Sequence, residues 1–374
     1  MDIGKTVRNV KSALGDNTAS DTRTPLTRSE FTLLVSVVLL GFTHVAKYHI
    51  DIAAITLICT YFLITRKLRW SQIVIYTAIS ATLISFPYIQ NTAWLPLAGK
   101  SLHFFNIFTL LYLSRHFSTP VTNLIFFSKL FVIVSFFSVL LALAFGGNFN
   151  MGAFDFVRIS GPFTDPNYFA FVCAILLISL HSIQKFECTF IKFSLLILVI
   201  FSQSITVICL LIAYYFLLIG FLTRFKYIIL FFPVIMAILI YFDVYQISIR
   251  QDWQTNFVSM KANSLFFRLS SIENGLDLLA SDWQAIVWGF SSGHSKELIG
   301  RVMHNSVLQT FFDHGILGVS IVYVYFLSIL RDPDNATFFV FTILFSLVFD
   351  PLWSYLFSLG PLIKISNKHA NMVV

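Results

Sequence analysis

Asn123 to Phe145 reads NLIFFSKLFVIVSFFSVLLALAF, an apolar run in which Lys129 is the one charged residue. At about 1.5 Å per residue, a helix over this run spans the roughly 30 Å hydrocarbon core of a bilayer. Working outward, further apolar segments cover 31–46, 50–65, 73–89, 101–114, 167–183, 189–203, 205–222, 227–243, 304–330, 337–349 and 351–363. The expectation is an all-α polytopic membrane protein, a bundle of about twelve transmembrane helices. The pairs 189–203/205–222 and 337–349/351–363 are each open to reading as one bent helix. Composition agrees with a lipid solvent: of 374 residues, 57% are hydrophobic and only 11% charged, 43 are Phe, and the mean hydropathy is +0.80. Soluble domains carry about 25% charged residues.

The net charge of +7 does not point to nucleic acid, because the basic residues are scattered through short loops and form no stripe. With the N-terminus inside, every inner loop is basic: Arg66-Lys67-Leu68-Arg69, Arg115-His116, Lys185, Arg224-Phe225-Lys226, Arg331, and a tail with Lys364 and Lys368. This bias places both termini in the cytoplasm and puts 146–166 and the longest loop outside. The expected organisation is a cytoplasmic tail over 1–30, a bundle of about nine helices over 31–243, an extracytoplasmic loop over 244–303, transmembrane helices over 304–363, and a cytoplasmic tail over 364–374. Residues 1–14 suit either a basic helix lying on an anionic leaflet or a solvated tail, and the first span suits an uncleaved signal anchor. Cys59, Cys173, Cys188 and Cys209 sit in or beside apolar runs without paired or metal-like spacing, so no metal or disulfide is implied.

Basic residues are least expected in the outer loops, yet Arg158, Arg250, Lys261, Arg268, Lys296 and Arg301 fall there. For each one alone, a solvated loop side chain is the alternative to an anion contact. Arg158 belongs to a denser pattern, Arg158-Ile-Ser-Gly161-Pro162-Phe-Thr-Asp165-Pro166-Asn167. Asp165 is a natural N-cap and Pro166 a natural first helical residue, so a helix begins here with its unpaired N–H groups directed outward. A turn at Gly161-Pro162 would fold the Arg158 guanidinium back over that end, a combination that suits phosphate.

The second dense pattern runs from His304-Asn305 through Asp313-His314-Gly315 to Gly318. If 304–330 is one helix, His304 and Gly315 lie nearly in line, about three turns apart, and Gly315 and Gly318 admit a neighbouring helix to that face. The excess length would leave Asp313 and His314 near the interface. Ahead of it, Arg268 and Trp288-Gly289-Phe290-Ser291-Ser292-Gly293 lie in the long loop, with tight turns expected at the small residues. His294 and Arg301 are weaker candidates, and Asp252, Glu273, Asp277 and Asp282 show no spacing that marks a catalytic pair.

These pieces resemble the O-antigen polymerase/ligase superfamily over most of the chain: the Arg158–Asn167 segment, Arg268, the Trp288–Gly293 turn, and His304 through Gly-x-x-Gly at Gly315–Gly318. One departure is Ser202-Gln203-Ser204, where that family often carries a Ser-Arg pair at the start of a central helix. The resemblance implies a cofactor-free, metal-independent, inverting C-type glycosyltransferase of the bacterial inner membrane. It would join undecaprenyl-diphosphate-linked oligosaccharides on the outer face as a polysaccharide polymerase, with His304 as general base. Arg158 and Arg268 would serve the diphosphate, and Asn167, Arg301, Asn305 and Asp313 would contact diphosphate or glycan. Partners on this reading are the lipid-linked oligosaccharide, membrane lipids, and a chain-length regulator and flippase of the same pathway. An O-antigen ligase is the near alternative. A lipid-linked oligosaccharide flippase or other transporter is a different class, and would be expected to place polar residues at mid-membrane.

Overall fold

The computed structural model describes residues 24–40, 43, 50–65, 73–74, 77–78, 102, 105–110, 112–114, 116–144, 150–151, 157–181, 183, 186–216, 218–242, 257–290, 295–330, 336–347 and 356–363. The N-terminal 1–23, most of the 73–89 segment, the basic loop at 66–69, Lys185, Arg250, Asp252, the Ser291–His294 part of the glycine turn, Arg331 and the 364–374 tail lie outside them.

The chain is mostly helical. Helix α1 (Arg28–Leu40) packs on α2 (Ile50–Thr65), and the run quoted first forms α3 (Val121–Ala144). Then come α4 (Pro166–Leu180), α5 (Phe186–Ser202), α6 (Ile205–Tyr215), α7 (Leu218–Arg224), α8 (Lys226–Ile229) and α9 (Phe232–Tyr241). The remainder is α10 (Phe257–Ser281), α11 (Trp283–Trp288), α12 (Ser295–Leu298), α13 (Ser306–Leu330), α14 (Ala336–Ser346) and α15 (Leu356–Ile363). Two short strand pairs complete it: β1 (Thr24–Pro25) runs parallel to β2 (Phe117–Ser118), and β3 (Asn150–Met151) antiparallel to β4 (Val157–Arg158), with Asn150 opposite Arg158.

Among the described residues, two helical stretches are long and apolar enough to cross a membrane, Val121–Leu141 and Ser306–Val324. Shorter apolar helices include Ile52–Thr65, Pro166–Leu180, Ile205–Tyr215, Phe232–Tyr241 and Ala336–Ser346. Of the other expected spans, most of 73–89 and part of 351–363 lie outside the described residues, and several of the rest are short or broken. The 205–222 segment divides between α6 and α7, and 227–243 divides into α8 and α9, with Pro233 in the first turn of α9. Segments 189–203 and 205–222 do not fuse into one bent helix, since Gln203 interrupts them at φ 53°. Large apolar side chains nevertheless cover the outside of α3, α5, α6 and α9, among them Phe137, Leu140, Phe190, Ile212 and Ile238. Helices that are apolar all round suit a hydrocarbon surrounding.

Among the described residues, two hydrophobic cores form. The larger joins α1–α6, α14 and α15 around residues such as Phe31, Phe169, Phe171 and Phe341. The smaller gathers Ile240 of α9, Ile272, Leu276 and Leu279 of α10, Ala285 of α11, and Met303. Helix α13 belongs to both: Leu308 and Phe312 enter the smaller core, while Val307, Val322 and Phe326 enter the larger.

The segment expected as an extracytoplasmic loop, 244–303, is partly helical: Arg268 stands on α10, a helix of 25 residues that packs in the smaller core, which the sequence reading did not foresee. A correction concerns α13, which starts at Ser306 rather than His304, because Asn305 caps it. The Asn305 Oδ1 accepts from Val307 N and Leu308 N, both at 3.1 Å. Another concerns Gly315, which is non-helical at φ 60°, ψ −162°, so the helix breaks there and the alignment of His304 with Gly315 does not hold.

Candidate functional site

Asp165 caps α4 as its sequence requires: its Oδ1 accepts from Asn167 N at 2.6 Å, and Pro166 stands at the first helical turn. A turn with Phe163 N bonded to Ser160 O brings the chain back, so that Arg158 lies beside the α4 N-terminus. Its Nη2 donates to Asn167 Oδ1 at 3.3 Å and its Nε donates to Ser202 O at 3.1 Å. Ile159 N likewise donates to Phe201 O. The break between α5 and α6 therefore receives the Arg158 strand, and the departure residue Gln203 stands at that break. Sequence reading noticed Ser202-Gln203-Ser204 only as a missing arginine; its interruption of an apolar run was the available sign that the chain turns there.

Arg268, near the middle of α10, lies within electrostatic reach of Arg158, Asp165 and Tyr168. His304 lies within reach of Arg268, Asp165 and Arg301. The fold thus brings together Arg158, Asn167, Arg268, Arg301 and His304 from segments far apart in sequence, at the seam between the two cores. Arg301 also lies over the Phe267 ring, 4.4 Å from its centroid.

Burial lowers the pKa of both Arg158 and Arg268, opposed for each by Asp165. Both remain guanidinium cations, since arginine keeps its proton in proteins. The His304 imidazole is pushed down to about 4, first by burial, then by Arg268 and Arg301, with Asp165 opposing. It is therefore neutral at pH 7 and able to accept a proton. Several cations against one carboxylate, partly withdrawn from water beside a helix N-terminus, form a site suited to an anion carrying more than one negative oxygen.

Asn305 and Asp313 are placed differently. Asn305 is fully buried with its oxygen used in the α13 cap. Asp313 and His314 are each 3% exposed, which moves them from the expected interface into the packing, because the first turns of α13 carry the smaller core instead of projecting above it. The Asp313 Oδ1 accepts from Gln309 Nε2 at 2.9 Å, and Gln309 Oε1 accepts from Met303 N at 2.7 Å. Gln309, not singled out by the sequence, thereby anchors the backbone next to His304.

The glycines of the second pattern have a role other than the expected helix seam. At Gly289 (φ 77°) a Cβ would stand 2.3 Å from the backbone of Asp313 and His314, and at Gly315 (φ 60°) 2.3 Å from the backbone of Val287. Each glycine makes room for the other's segment, and Phe290 N donates to Phe312 O at 2.8 Å across the contact. At Gly318 a Cβ would first meet the side chains of His314 and Thr310 from the same segment.

Compared with protein-family models, with curated proteins and with solved structures, the chain matches none of them.

Proposed function

We propose that the protein is a membrane glycosyltransferase that polymerises oligosaccharides carried on a polyprenyl diphosphate. The observation that carries this reading is the convergence of Arg158, Arg268 and a neutral His304 around one half-buried anion site. On this reading the acceptor hydroxyl oxygen attacks the anomeric carbon of the donor sugar while the bond from that carbon to the diphosphate oxygen breaks. The hydroxyl proton passes to His304, and the electron pair leaves with the lipid diphosphate. Arg158 and Arg268 stabilise the charge gathering on the leaving oxygens, where fixed cations act most strongly in the transition state. Attack opposite the leaving group inverts the anomeric centre.

The topology belongs to the proposal: about twelve spans, both termini in the cytoplasm of a bacterial cell and the site on the outer face of the inner membrane. It is supported by the basic loops of the sequence and by the apolar outer faces of α3 and α5. The test is to incubate the purified protein with a lipid-linked repeat unit. A ladder of lengthening lipid-linked glycans is expected. Transfer to lipid A-core without lengthening would make the protein a ligase instead, and no glycosyl transfer to either acceptor would end the reading.

A further inference from the structure

The geometry points to a second part of the same ligand site, a groove between α3 and α5 that takes the hydrocarbon tail of a polyprenyl diphosphate; this rests on the functional reading above. The groove encloses about 510 Å³. Phe136 and Leu140 form one wall, Phe190, Phe193 and Ile197 the other, and Ser194 is its one polar side chain. In a bilayer any alkyl chain can lie against this aromatic surface, so apolarity alone does not choose the occupant.

Position identifies the occupant. At one end α3 and α5 are tied by an ion pair, Lys129 Nζ to Glu187 Oε2 at 2.6 Å. At the other the apolar stripe of α5 continues through the exposed Ile200 and Phe201 to Ser202. There the Phe201 carbonyl accepts from Ile159 N, and the Ser202 carbonyl accepts from Arg158 Nε. The groove therefore runs from the ion pair toward the cationic site, about 18 Å along α5 from Phe190 to Ser202. One amphiphile satisfies both features, its diphosphate against Arg158, its first isoprenoid units along Ile200 and Ile197 and the following ones along Phe193 and Phe190. A phospholipid acyl chain would fill the groove without any dependence on Arg158, and a second copy of the chain would fill it without any diphosphate.

The experiment uses the full chain in phosphatidylethanolamine/phosphatidylglycerol vesicles and a polyprenyl diphosphate bearing a benzophenone in its third isoprenoid unit. Photolysis is expected to label peptides covering 132–140 and 190–197. Excess unlabelled polyprenyl diphosphate should remove the label, and excess phosphatidylglycerol should not. Phe190→Ala combined with Phe193→Ala, at the far end of the groove, should weaken binding of the long-chain diphosphate about tenfold while leaving a short-chain geranyl diphosphate unaffected, a difference of about 1.4 kcal/mol. Arg158-dependent binding with the label elsewhere, or equal weakening of both chain lengths, overturns the groove and leaves the functional reading standing. Label displaced equally by phosphatidylglycerol, or found as a cross-link between two copies, also overturns the groove alone. No saturable binding of the diphosphate probe anywhere overturns both.

Discussion

The two segments that build the candidate site are held in different ways. Arg158 to Asn167 is fixed by side chains: Asp165 caps α4, and Asn167 and the Ser202 carbonyl receive the guanidinium. The segment that positions His304 rests on backbone against backbone, with Gly289 and Gly315 each occupying the space a Cβ would need. A side-chain cap can be exchanged for another at modest cost. Two interlocked main chains have no such substitute, and the tolerance of the two regions should differ accordingly.

The largest effect is expected from Gly289→Ala and Gly315→Ala. A Cβ 2.3 Å from backbone atoms cannot be relieved by rotating a side chain, and both residues sit at positive φ. Left-handed strain of about 1–2 kcal/mol adds to overpacking of roughly 1–3 kcal/mol, so each variant should lose several kcal/mol of stability. Gly300 is also left-handed, at φ 72°, but a Cβ there meets nothing. Gly300→Ala should therefore lose only the strain. Melting of all three in detergent checks this, and equal melting points would dissolve the distinction between the two regions.

His304→Ala should cut glycosyl transfer by roughly 10²–10⁴-fold while leaving lipid-linked donor binding in place. A pH profile sharpens this. The base must be neutral, and its pKa is lowered from 6.5 to about 4, so kcat/KM should stay flat from pH 8 through 6 and fall only as pH approaches about 4. A fall centred near 6.5 would mean an ordinary exposed imidazole. Stability has the same sign: between about 4 and 6.5 the unfolded chain binds more protons at this position, so His304 favours unfolding increasingly as pH drops through that window and has no effect above it. His314→Ala is a less neutral control than its place in the sequence suggests. His314 is buried, so its loss acts through packing and should appear in melting before it appears in rate.

Arg158→Lys and Arg268→Lys keep the charge and remove the fork of donors. Arg158 divides its donors between Asn167 and the Ser202 carbonyl, which one ammonium does not reproduce. Both variants should lower turnover by about tenfold or more, the scale of one charged hydrogen bond lost. Near-normal rates in both would reduce these residues to ordinary cations.

The smallest effect is expected for Asp165→Ala, which removes a cap at a cost of about 1 kcal/mol. Asp165→Asn or Asp165→Ser should recover most of that stability, because either side chain can accept from Asn167 N. Recovery by either separates the cap from the charge that Asp165 lends to Arg268 and His304.

The same contrast explains what could be read from the sequence. The α4 start was legible because a cap acts within three residues, and Asp165-Pro166 states it locally. The apolar character of α3 was equally plain from Lys129 being its one charge. Around His304 the reading failed at Gly315, because a break in α13 is dictated by Val287 and Trp288, which lie far back in the chain. Helix α10 was missed since its mixed face, with Arg268, Glu273 and Asp277 among Ile272, Leu276 and Leu279, resembles a loop until a second core exists to bury it. Where one apolar segment ends and the next begins was not legible, because hydropathy is blind to breaks such as the one at Gln203. Gln309 could not be found from spacing, since its partners Met303 N and Asp313 are set by how α13 begins.

Because α13 contributes to both cores, the order of synthesis bears on when the site can exist. The Arg158 and Arg268 segments leave the ribosome well before residues 306–330, yet His304 has no fixed place until Leu308, Phe312 and Val307 have found their two sets of neighbours. A growing chain can therefore seat Arg158 against α4 and α5 first, whereas Arg268 and His304 meet it only when α13 has joined the two cores.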